Sequence, residues 1–324
     1  MNIDLLIDNL SNPALLFFFL GIIAVQLKSD LEIPAQSSKF ISLYLLFSIG
    51  FKGGQELSHS TINLEILWSL IFGIILATII PCYTFFILKK RVSISNAGAI
   101  AAAYGSVSAV TFVTAVSFLE IHKMEFGGHM VAVMALMEAP SIIIGVLLMD
   151  IYNKEKKKTN LTSIANLIKH SLTNGSVLLI IGSLVIGFVA NEQQAEGISP
   201  FTTDIFKGFL VVFLLDMGIT SGKKLSSFWK YGWYPLVFSI VIPLINGVAV
   251  AVLSGLITDI HGNRFLFSIL AASASYIAVP AAMKLAAPNA NQGLYIPMAL
   301  AITFPFNITV GMPLYLLIIE STSF

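Results

Sequence analysis

The 324-residue chain has a single cysteine, Cys82. A lone thiol excludes an intramolecular disulfide and any cysteine-based metal cluster. The histidines His59, His122, His129, His170 and His261 show no ligand spacing, so no metal site is assigned. Charge is also scarce, with Asp, Glu, Lys and Arg making up 11% of the residues against about 25% in soluble domains. No soluble domain of useful size fits between the apolar runs. Basic residues fall in short clusters and not along a face, which argues against a nucleic-acid partner. The first apolar run, Pro13 to Leu27, follows Asp4 and Asp8 where a signal peptide has a basic segment, and no A-x-A-like site follows it. It is expected to be a first span and not a cleaved signal.

What is present is hydrocarbon: 56% of residues are hydrophobic and the mean hydropathy is +0.88. Apolar runs long enough for a bilayer core of roughly 30 Å recur along the chain, and charges collect between them. The expected fold is an all-α polytopic membrane protein with ten spans, near 11–27, 40–50, 65–88, 97–119, 129–151, 174–191, 204–219, 232–257, 265–287 and 292–319. One set of alternate loops receives Lys28, Lys39, Lys89, Lys90, Arg91, Lys154, Lys156, Lys157, Lys158, Lys169, Lys223, Lys224, Lys230 and Lys284. The other receives only Lys52, Lys123, Lys207 and Arg264. Because basic loops stay in the cytoplasm, both termini are expected on the non-cytoplasmic side of the inner, or plasma, membrane. An odd number of crossings would split the basic clusters between the two sides.

The two halves echo one another. "SIGFKGGQEL" from Ser48 resembles "DMGITSGKKL" from Asp216, setting Gly50 over Gly218, Gly54 over Gly222 and Leu57 over Leu225. "AAAYGSVSAVTFVTA" from Ala101 falls on "AASASYIAVPAAMKLA" from Ala271, and Pro140 falls on Pro305. Five spans per unit is odd, so the second unit enters the bilayer from the opposite side, the inverted-repeat construction of many secondary transporters. The expected organisation is a first repeat over 1–151, a cytoplasmic linker over 152–173 and a second repeat over 174–324.

Taken alone, the small residues of the 101–115 stretch read as a close-packing seam between helices. The paired segment points elsewhere. Pro280 disfavours helix at Val279, and unwound backbone at mid-membrane depth is tolerable only against protein or a water-filled cavity. Spans four and nine are therefore expected to be interrupted and to cross near mid-membrane, each offering a half-helix N-terminus that attracts anions. The hydroxyls of Ser106, Ser108, Thr111, Ser273 and Ser275 can donate to an oxyanion or supply oxygen to a hard cation. Glu138, inside span five, is an intramembrane carboxylate and by default a functional candidate. A protonated packing residue is the other reading. Thr303 and Asn307 are its polar counterparts around Pro305. Asp216 is expected to be a solvated cap near the end of span seven, Asn246 to bond a neighbouring helix, and Lys284 to snorkel.

On these segments, with "MEAPSIII" and "YIPMALAITFPFNITVGMPL", the sequence resembles the SbtA-like sodium-dependent bicarbonate transporter family over essentially its whole length. The resemblance implies a homotrimer whose protomers have a gate domain (spans 1, 2, 6 and 7) and a core domain (spans 3–5 and 8–10). Bicarbonate and Na+ would bind in the core at the crossing and move by an elevator-like mechanism. The anion residues are then Gly105, Ser106, Val107, Ser108, Ser273, Ala274, Ser275 and Tyr276, and the cation residues Ser108, Thr111, Glu138, Ser275, Thr303 and Asn307. Three positions depart from the family pattern: Tyr276 and Glu138 each stand where an Asp is usual, and Lys284 where an Arg is usual. Some members also have a PII-like cytoplasmic regulator and a longer linker than 152–173.

No cofactor is expected beyond Na+ as coupling ion, and no catalytic residue is assigned, since "GSVSA" is no nucleophile elbow and has no in-span His partner. The chain is expected not to be an enzyme. Two alternatives to anion symport remain. One is an organic-acid carrier, in which Tyr276 meets a larger carboxylate; the other is a membrane sensor or scaffold that binds without moving cargo.

Overall fold

The computed structural model describes residues 11–59, 63–152, 169, 173 and 175–322. Most of the expected linker, 152–173, lies outside the described residues. Among the described residues there are helices and no strands.

Local sequence sets the helix starts. Asn12 caps α1 (Pro13–Gln26) by accepting from the Ala14 N–H at 2.9 Å, with Pro13 at the position where a missing N–H is harmless. After α2 (Ala35–His59), Asn63 caps α3 (Leu64–Leu88) through the Ile66 N–H at 3.1 Å. Ser93 caps α4 (Ile94–Gly105), and Ser108 caps α5 (Ala109–Ile121). Then follow α6 (His129–Tyr152), α7 (Gly175–Val189) and α8 (Glu192–Ser199), the last opened by a reciprocal Asn191–Gln194 capping box. The second half continues with α9 (Phe206–Phe228), α10 (Trp233–Leu253), α11 (His261–Ala272) and α12 (Ala278–Ala286). The last helix, α13 (Gln292–Ser321), has wide π-type turns at Met298–Thr303 and Asn307–Gly311.

Six of these helical stretches are long and apolar enough to cross a membrane: α3, α4 with α5, α6, α8 with α9, α10 and α13. The other expected spans miss that mark for physical reasons. At 14 and 15 residues, α1 and α7 reach only about 21–23 Å. The second span was expected at 40–50, but α2 continues to His59 through Lys52 and Glu56. Lys52 is accommodated there by an ion pair with Glu120 at 2.6 Å. The ninth expected span is two pieces, α11 and α12, separated by residues 273–277. Pro280 does not make that break: it sits in the first turn of α12, where its missing N–H breaks no helical bond, and Val279 is helical.

Packing pairs α1 with α9 and α2 with α7, while α3, α4 and α6 form one cluster and α10, α11 and α13 another. Glycines permit the first two approaches. A Cβ at Gly218 would fall on the Phe18 carbonyl, and one at Gly21 on the Leu215 carbonyl. Across the other pair, Gly54 meets the Leu184 carbonyl and Gly187 the Phe51 carbonyl. The two contacts are built alike, each with a glycine on both helices against a carbonyl of the other.

Candidate functional site

Both interrupted helices stop on a serine in extended conformation, Ser106 after α4 and Ser273 after α11. The breaks lie against each other. The Ser108 backbone N–H donates to Ser273 Oγ at 3.0 Å, and the Ser275 N–H donates to the Ala103 carbonyl at 2.8 Å. Ser273 Oγ in turn donates to the Leu270 carbonyl at 2.9 Å. Backbone released by one helix is thus satisfied by the other, as apolar surroundings demand.

Side chains from flanking helices reach further carbonyls beside the two breaks. Ser141 Oγ donates to the Ala102 carbonyl at 3.0 Å, Asn246 Nδ2 to Ala271 at 3.1 Å and Asn307 Nδ2 to Ala272 at 2.8 Å. At the opposite ends, Ser108 Oγ accepts from the Thr111 N–H at 3.1 Å and Ser275 Oγ from the Val279 N–H at 3.4 Å. Those two bonds start α5 and α12.

A cavity with about 40 Å³ of free space opens beside the crossing. One water needs roughly 10–15 Å³ by this measure, so the space suits about three waters or one small oxyanion. Its walls include Val107 to Val110 and Ser275 to Ala278, the residues that lead into and begin α5 and α12. Early N–H groups of a helix have no intrahelical acceptor, and two such termini carry partial positive charge toward the same space. Met134, Ala135 and Glu138 of α6 form another wall, and Ser42 and Leu46 of α2 with Ser176 and Ile180 of α7 close it. Among the described residues no Lys, Arg or His lines the cavity.

The expected site residues therefore divide. Val107, Ser108, Glu138, Ser275 and Tyr276 line the cavity. Gly105, Ser106, Thr111, Ser273 and Ala274 are buried at the crossing but off the cavity wall. At Gly105 a Cβ would collide with the Pro81 ring and Ser141 Oγ, so the close approach of α3 and α6 there requires a glycine. Ser106 Oγ is fully buried and has no hydrogen-bond partner among the described residues. Thr303 Oγ1 donates to the Ser239 carbonyl at 2.7 Å and lies 2.8 Å from the Tyr104 hydroxyl. With Asn307 on Ala272, both expected cation residues of α13 are engaged in holding helices together.

Asp216 is not a solvated cap: it lies inside α9, 6% exposed, and accepts a hydrogen bond from Ser38 Oγ of α2. Its neighbour Met217 receives the Tyr276 hydroxyl at 3.9 Å, which ties the second break to α9. Ser42 and Ser176 were absent from the sequence-based set. Ser42 follows Ser38 at the four-residue spacing that puts both on one helix face, the one local signal that marks it.

A family model described as the Na+-dependent bicarbonate transporter superfamily matches residues 13–320. No curated protein matches the chain.

Proposed function

The chain belongs to the Na+-dependent bicarbonate transporter superfamily, and we propose that it is a secondary transporter carrying bicarbonate, or another small monovalent anion, together with Na+. The observation that carries this reading is the pair of helix starts with the residues leading into them, Val107–Val110 and Ser275–Ala278, on one small cavity. Oriented N–H groups bind an anion without a fixed positive side chain, which suits a site that must also release its cargo. The cavity's size favours a four-atom oxyanion over the larger carboxylate of an organic-acid carrier.

Glu138 faces the same space and is the carboxylate available to Na+, with Ser108 and Ser275 as neutral oxygen ligands. One Na+ with one monovalent anion is electroneutral, whereas an uncompensated charge feels about 2.3 kcal/mol per 100 mV. In this reading the chain makes ten crossings in two inverted repeats, with both termini outside the cytoplasm. The like-built α1–α9 and α2–α7 contacts support that symmetry. They also support a gate domain of those four helices, against which a core of α3 to α6 and α10 to α13 moves in elevator fashion. The cavity's position between α6 and the α2–α7 pair fits a site at that sliding boundary. A homotrimer and a PII-like cytoplasmic regulator complete the proposal.

The test is uptake of labelled bicarbonate by proteoliposomes containing the purified chain. Accumulation driven by an inward Na+ gradient and absent in K+ medium is expected. Uptake indifferent to Na+ would refute the coupling, and binding with no uptake would favour a sensor.

A further inference from the structure

Away from the crossing, Arg264 near the start of α11 is 3% exposed. Its Nη2 donates to the Ala251 carbonyl of α10 at 2.9 Å and to Thr322 Oγ1, just beyond α13, at 2.8 Å. Both acceptors are neutral. Nε is buried with no acceptor, and no carboxylate lies within ion-pair distance of Arg264 among the described residues. Asp259 acts on it only electrostatically, from beyond ion-pair distance, so its hydrogen-bond partners are neutral, a costly arrangement that a closer counter-anion relieves.

Space for one is present. A cleft of about 260 Å³ opens over Arg264 and Thr322. Gly255 keeps it clear, since a Cβ there would stand 3.2 Å from Arg264 Cζ. By the roughly 10–15 Å³ that one water needs, this space far exceeds a free phosphate. The cleft lies where α10 ends, α11 begins and α13 ends, so a bilayer crossed by α10 and α13 would set it at the level of lipid headgroups. Its outer wall is Val252, Leu253 and Leu256, all exposed, the last at 83%. Asp259, also exposed, stands on its rim.

A cation at the floor, an acid at the rim and an apolar outer wall match a zwitterionic phospholipid. We propose that this cleft binds a phosphoethanolamine headgroup, with its phosphate on Arg264 and Thr322, its ammonium on Asp259 and its acyl chains along Leu253 and Leu256. The ammonium donates hydrogen bonds that a quaternary choline cannot, so ethanolamine lipid is preferred over choline lipid. Phosphatidylglycerol supplies the phosphate but offers Asp259 only neutral hydroxyls and no cation.

The experiment measures lipid retention and thermal stability of the full chain in nanodiscs of phosphatidylethanolamine, phosphatidylcholine or phosphatidylglycerol. For the wild type, ethanolamine lipid is retained through delipidating washes and gives the highest melting temperature. In Asp259→Asn, a surface change, the preference for ethanolamine over the other two falls about tenfold, the scale of one lost charged hydrogen bond. Arg264→Gln loses retention of all three. Equal retention of the three lipids by the wild type, or an unchanged preference in Asp259→Asn, would overturn the proposal even if Arg264→Gln fails to fold. Inorganic phosphate alone is expected to leave the melting temperature unmoved; stabilisation by it equal to that by lipid would mean a free-anion site and refute the lipid assignment.

Discussion

Ser108 and Ser273, one in each half of the chain, are joined by a hydrogen bond of 3.0 Å from the backbone of the first to the side chain of the second. The two interrupted spans thereby become one unit. Neither break is tolerable in an apolar interior alone, because each leaves backbone groups that the other break and the flanking helices satisfy.

Ser273→Ala removes the acceptor and strands the Ser108 N–H. An unsatisfied buried donor costs about 1–3 kcal/mol, so the melting temperature in detergent should fall by several degrees and anion uptake with it. A variant that melts like the wild type would show that the crossing does not depend on this bond.

Gly105→Ala places a methyl group against the Pro81 ring and Ser141 Oγ. Overpacking of this kind costs about 1–3 kcal/mol, and the yield of monodisperse protein should drop. Pairing it with Ser141→Ala frees part of the space, so the double variant should recover some stability. Loss of transport with wild-type stability would instead make Gly105 a direct contact of the cargo.

Glu138→Gln keeps the shape and removes the charge. If Glu138 is the carboxylate that meets Na+, uptake in Na+ medium should decline toward the K+ level, with the Na+ concentration for half-maximal rate rising about tenfold, a change near 1.4 kcal/mol. Folding should be unaffected. Unaltered Na+ activation would leave Glu138 a packing residue.

The Lys52–Glu120 ion pair joins α2 to α5 with its side chains 32% and 25% exposed. A pair this open is worth about 0.2–1 kcal/mol, enough to bias two positions of one helix group against the other. Lys52→Glu should change the uptake rate several-fold with little effect on melting, and the exchanged pair Lys52→Glu with Glu120→Lys should restore it. Equal rates in all three proteins would exclude a role in the transport cycle.

Much of the candidate site is legible in the chain. "YGSVS" and "ASASY" mark the two breaks because small and hydroxyl-bearing residues interrupting an apolar run are a local feature. The cause assigned to the second break is not legible: the proline after it looks responsible, yet it opens the next half-helix. Asn307 and Thr303 are buried and polar, as a ligand would be, and each also hydrogen-bonds a neighbouring helix, a partner their own sequence surroundings do not name.

By itself the sequence determined the membrane class, the all-helical fold and the positions of the two interruptions, since hydropathy and backbone-breaking composition act over one or two helical turns. Only the tertiary structure decided which polar groups face the cavity and which cap helix ends. It also decided that Asp216 is buried beside Ser38 and that Arg264 lies under an open cleft. Those outcomes depend on how helices are rotated against one another, and a side chain's partner across such a contact comes from residues far away in the chain.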